Sequence, residues 1–183
     1  KETDYLEMTE LIADFIQTLE PSDTYSSREF LRLFGLHLWK KGIKSIVATA
    51  AKHNVPVFCP AIIDSPYGDA ALIAKSHGFH LVLDGTKDYV EFMQLGENVE
   101  DTGVVYIGGG VPKDFIQLFA VTADLLYEDR RVPNRKNALT RKGTNETYYP
   151  HKYAIQISTD SPQWGGLSGA TFEEAVSWGK EDP

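Results

Sequence analysis

The sequence offers little for sulfur or metal chemistry. It has one cysteine, Cys59, so no disulfide framework can form within the chain. That thiol sits in the apolar run 55–59 and reads as a core residue. The five histidines, His37, His53, His77, His80 and His151, are scattered without metal-ligand spacing. HExxH, CxxC and GxSxG are all missing, and no metal is expected. Long apolar runs are missing too. No stretch approaches the ~18 residues of a membrane span, and no signal peptide is visible. A cytoplasmic protein without membrane contact is the expectation. Positive charge is in deficit, with 18 Lys+Arg against 26 Asp+Glu and a net charge of −8. That argues against nucleic acid and suits cationic ligands. The sequon at Asn145 reads as chance without a secretory signal. The chain starts at Lys1, not Met, and reads as a processed or partial polypeptide.

What is present is ordinary globular material. The 183 residues are 42% hydrophobic and 24% charged, enough for one α/β domain portion with a real core. Leu6, Met8, Leu11, Ile12, Phe15, Ile16 and Leu19 recur at helical spacing, predicting a helix over 5–19. Ser26 or Ser27 is positioned to cap a second helix, and 45–53 predicts a short third. This helical lead-in covers about 1–53. From about 54 to 180 short apolar strands alternate with helices: strands over 55–61, 80–84, 102–107 and 153–158, helices over 69–77, 86–95, 113–126 and 171–178. The alternation predicts βαβ units in a doubly wound, Rossmann-like, mostly parallel sheet with helices on both faces. Such sheets bind ligands beyond the carboxyl ends of their strands. A polar, basic insertion over about 128–152 interrupts the rhythm and reads as a solvated loop, or secondarily a subunit contact.

Candidate chemistry falls at those strand ends. Asp64 and Asp69 lie five apart across a Pro/Gly turn. They suit a cofactor ribose and a substrate ammonium, or equally a turn residue and a helix cap. The run Gly108-Gly109-Gly110 between a strand and a helix lets backbone approach a phosphate, or serves simply as a tight turn. Thr159 and Asp160 end the last strand. Then come Glu174, Trp178 and Lys180. Trp178 can shield an alkyl-ammonium through its π face, or fill a core. Lys180 can act as a nucleophile only when neutral.

The motif EAVSWGK (174–180), the stretch VPVFCPAIIDSPYGD (55–69) and the strand-GGG-helix turn resemble the deoxyhypusine synthase family. SSREF (26–30) is similar to its bacterial deoxyhypusine-synthase-like branch. The resemblance implies a homotetramer with NAD and polyamine sites near subunit interfaces. It implies that NAD oxidises spermidine to an imine. The active-site lysine then takes the aminobutyl group, releasing 1,3-diaminopropane, and passes it to an acceptor amine. By motif, Lys180 looks like the nucleophile. Asp69, Glu174 and Trp178 look like the polyamine site. Asp64, Gly109, Thr159 and Asp160 look like the cofactor site. Asp114 stands in the polyamine site where the family carries a histidine, and Leu167 stands where it carries an acid. These departures open two alternatives: a homospermidine-synthase-type transfer to a small amine, and a non-catalytic paralogue that binds NAD or polyamine. The family's N-terminal half has no counterpart in this chain, so a further segment or a companion chain is expected to supply it.

Overall fold

The structure, a computed structural model, describes residues 2–95, 101–122, 139–140, 147–148, 150–161 and 169–181. The chain forms two compact units, Lys1–Asp88 and Tyr89–Pro183.

The first unit opens with α1 (Glu2–Ile16). It starts and stops earlier than the periodicity predicts. Thr18 and Leu19 donate their N–H groups three residues back, to Phe15 and Ile16, tightening the helix end ahead of Pro21. The short strand β1 (Thr24–Tyr25) leads into α2 (Ser27–Lys40). Ser26 closes a capping box there: its hydroxyl accepts from Glu29 N–H, and the Glu29 carboxylate accepts from Ser26 N–H. Asp88 completes the cap by accepting from the N–H groups of Ser27 and Arg28 at 2.9 and 3.0 Å. Ser45 caps α3 (Ile46–Lys52). Ser65, not Asp69, caps α4 (Pro66–Ser76), whose first turn holds Asp69. The helix-cap alternative for Asp69 is thereby corrected. β2 (Val82–Leu83) pairs parallel with β1, and α5 (Gly85–Gln94) follows. α1 packs on α4 and α2 on α3. Phe15, Phe30 and Phe34 meet at the centre, with Tyr67 edge-on to the last two at 5.8 and 5.9 Å. Burying each of these rings contributes about 1.5–3 kcal/mol.

The strand expected over 55–61 is absent: the segment makes no ladder with any described residue. Pro56 and Pro60 have no N–H to donate, and Cys59 N–H is committed to Ser27 Oγ at 2.8 Å. Cys59 itself is half-buried rather than fully inside, and desolvation pushes its thiol above the usual range.

The second unit is built on β3 (Gly103–Ile107) and β6 (Tyr153–Ile157), parallel and in register from Gly103↔Tyr153 to Ile107↔Ile157. α6 (Val111–Thr122) follows β3, and α7 (Phe172–Ser177) follows β6. β4 (Leu139–Thr140) and β5 (Thr147–Tyr148) form a small antiparallel pair. Helices therefore accompany small parallel sheets, the mixed α/β architecture that the alternating pattern predicts. Strand alternation turns Val104 and Tyr106 inward. It leaves Val105, Ile107, Tyr153, Ile155 and Ile157 exposed, Ile107 to 83%. The rest of the basic insertion over 128–152, Leu167 and Asn145 lie outside the described residues. Among the described residues no helix is long and apolar enough to cross a membrane.

Candidate active site around Lys180

Lys180 is placed by a helix end. α7 stops at Ser177, and Gly179 adopts φ 72°, a left-handed turn that an L side chain resists. Gly179 N–H returns to Val176 O and Lys180 N–H to Ala175 O, so the lysine leaves the helix in one fixed direction. Its carbonyl accepts from His151 N–H at 2.9 Å. The amine, with its side chain 17% exposed, donates to Asp114 Oδ1 at 3.1 Å. Asp114 reaches it from the first turn of α6. Glu174 is exposed on α7, and Trp178 is 55% exposed rather than a core residue. Both are open to a ligand.

Beneath this pair lies a charged interior that sequence reasoning missed. Lys113, Tyr106 and Glu181 are each 3% exposed. Lys113 Nζ donates to Gln156 Oε1 at 3.1 Å and Ala170 O at 2.9 Å. Its pKa falls below the ordinary lysine value. Desolvation is the main cause, opposed by the carboxylates of Glu181 and Glu174 and reinforced by the like charge of Lys180. Tyr106 O–H donates to Glu181 Oε1 at 2.6 Å. Burial first, and this bond second, push the phenol well above its usual range. One signal was available: alternation along β3 puts Tyr106 inward, and a buried tyrosine hydroxyl needs a partner.

The cofactor candidates of this unit share one edge. Gly108 N–H donates to Ile157 O at 2.8 Å, extending the ladder by one bond. Gly109 sits between Gly108 and Gly110, at φ 84° and 78°. A Cβ on either of those two would meet nothing within 4 Å, so the turn leaves open space that fits a nucleotide's close approach. Thr159 and Asp160 are exposed beyond the carboxyl end of the neighbouring β6.

The two remaining candidates belong to the first unit. Asp64 is exposed in the turn before α4, at the lining of a cleft of about 770 Å³ shared with Cys59, His80 and Asp88. Asp69 accepts from Tyr5 O–H at 2.5 Å. The structure thus brings together Lys180 and Asp114, with Glu174 and Trp178 on the same short helix and its end. It sets Gly109, Thr159 and Asp160 along one sheet edge. Asp64 and Asp69 belong to the first unit.

The model for the family described as deoxyhypusine synthase matches residues 1–183. The chain belongs to the deoxyhypusine synthase family. A "Probable deoxyhypusine synthase 2" of Methanosarcina acetivorans is 47% identical over 175 residues, 94% of this chain and 45% of that protein. A "Deoxyhypusine synthase-like protein" of Elusimicrobium minutum is 37% identical over 175 residues, 93% of this chain and 42% of its own length. The chain therefore spans about half the length of the curated relatives it matches. Among solved structures, a provisionally assigned deoxyhypusine synthase from Entamoeba histolytica covers 97% of this chain and 53% of its own, with TM-score 0.57 and 19% identity. That likeness speaks for the α/β fold alone.

Proposed function

We propose that this chain carries the amine-bearing part of an NAD-dependent aminoalkyl transferase of deoxyhypusine-synthase type. The observation that carries the reading is the Lys180 amine, fixed past a helix end 3.1 Å from Asp114, with an acid and an open indole on the same short helix and its end. NAD, when bound, would supply the hydride-accepting and hydride-donating chemistry. Gly109, Thr159 and Asp160 are the residues of the second unit suited to hold it, and Asp64, in the first unit, has by motif the chemistry of a ribose-binding acid.

The chain's own groups do the rest. A polyamine is a string of ammonium ions, and carboxylates recognise it by charge. Glu174 supplies one beside Lys180, and Asp69 of the first unit is by motif another. Trp178 offers a π face worth about 0.5–2 kcal/mol to a cation. An arriving ammonium replaces Lys180 as the partner of Asp114 and frees the lysine amine. Once neutral, that amine adds to the oxidised donor carbon. The C–N bond to the leaving amine breaks, 1,3-diaminopropane departs from spermidine, and the aminobutyl group stays on Lys180 as an imine. An acceptor amine displaces Lys180 by the reverse exchange. Whether the acceptor is a protein lysine or a small amine such as putrescine is decided by the product formed.

The test is intact mass of the assembled protein after borohydride reduction with NAD and spermidine. The expected outcome is a gain of one aminobutyl group, lost in Lys180→Ala. A second reading, NAD or polyamine binding without transfer, is favoured by Asp114 itself, because its carboxylate ties up the amine. No mass gain with NAD binding intact would decide for it.

A further inference from the structure

Glu181 lies one residue past the amine and turns the other way. Its side chain is 3% exposed. Burying a carboxylate costs several kcal/mol unless partners compensate, and a leucine would fill the same space without that cost. What the carboxylate adds is an anchor. Tyr106, inward on β3, donates its O–H to Glu181 Oε1 at 2.6 Å. Glu181 also forms a parallel bridge with His151, whose N–H donates to Lys180 O. The His151 ring is itself fixed, Nδ1 to Thr102 Oγ1 at 2.9 Å and Nε2 to Ile116 O at 3.2 Å. The lysine backbone is thus held before the amine by α7 and after it by the β3–β6 layer.

We propose that Glu181, through Tyr106, is a positioning residue for the Lys180 amine. The inference rests on Lys180 being the carrier. A lysine side chain has four rotatable bonds, so its amine is placed only as well as its backbone origin is held. The Gly179 turn supplies direction, and the Tyr106–Glu181 latch supplies depth. The same carboxylate faces Lys113, and its attraction partly offsets the desolvation of that buried amine.

The test measures the rate of borohydride-trapped adduct formation in the assembled protein with NAD and spermidine. Dissociation constants for both ligands are measured beside it. Glu181→Leu is expected to slow adduct formation about 10–100-fold, the scale of an ångström misplacement. Both dissociation constants should stay within about twofold. Tyr106→Phe, nearly isosteric, should slow it in the same direction. Glu181→Gln keeps an oxygen for the phenol and should recover most of the rate. The Tyr106→Phe/Glu181→Leu double variant should be no slower than Glu181→Leu alone, because both remove one latch. Wild-type rates in Glu181→Leu and Tyr106→Phe would overturn the proposal and leave Lys180 as carrier. Rate and binding lost together in equal measure would overturn it as well, making Glu181 a fold residue. No adduct in the wild type would overturn the carrier reading, and this inference with it.

Discussion

Tyr106 gives the chain a titration that a free tyrosine lacks. Its folded pKa lies well above the ordinary value of 10.0, through burial and then the Glu181 carboxylate. Below pH 10 both folded and unfolded phenols keep their protons, and the residue is neutral in the balance. Above it the unfolded phenol ionises while the folded one does not, so stability is lost as pH rises. Lys113 works oppositely. Its folded pKa is depressed below 10.5, so in the window under that value the unfolded chain holds more protons and stability rises with pH. Tyr106→Phe should therefore flatten the loss of stability above pH 10, read as denaturant midpoints at pH 9 and pH 11. An unchanged difference between those midpoints would show that the phenol ionises freely in the fold. The alternation that turns Tyr106 inward was the one trace of this interior in the sequence. A glutamate directly after Lys180 and a lysine after a glycine turn look like solvated charges in a sequence. Only the pairing of β3 with β6 and the return of the chain past α7 bury them. Lys180, Glu174 and Trp178 were legible as candidates because they sit together in one local motif.

At the scale of elements, the start of α2 shows local and distant chemistry meeting. Ser26 and Glu29 satisfy two N–H groups from within the helix's own first turn, and Asp88 satisfies two more from 60 and 61 residues away. Ser26→Ala should cost about 1 kcal/mol. Asp88→Ala should cost more, about 1–3 kcal/mol, since it strands two backbone donors in a buried site. Thermal melting of both variants checks the order, and an Asp88→Ala loss smaller than that of Ser26→Ala would contradict it. The caps of α2 and α3 were readable from Ser26 and Ser45, because a cap needs only a hydroxyl and a helix beside it. The failure over 55–61 has the reverse cause. Val55, Val57 and Phe58 have strand propensity, but a strand is a pairing, and propensity does not say where a partner's N–H groups go. Here prolines withhold two donors and Ser27 takes a third. The bounds of β3 and β6 were legible almost to the residue, since neither strand contains proline, while their pairing with each other was not.

For the molecule as a whole, the cofactor candidates are divided between its units: Asp64 in the first, Gly109, Thr159 and Asp160 in the second. The chain spans about half of its relatives' length. A polypeptide of residues 1–183 alone is accordingly expected to give no saturable one-to-one isotherm with NAD in calorimetry. Tight stoichiometric binding would show that these residues already hold a complete cofactor site. The open face of the β3–β6 ladder bears on the protein's life in the cell. Parallel strands are rarely left wet on an apolar side. To a heat-shock chaperone, Ile107, Ile155 and Ile157 in water look like a nascent domain still waiting for its neighbour. A polypeptide of these residues made alone is accordingly expected to linger in quality control until some other apolar surface closes over those side chains.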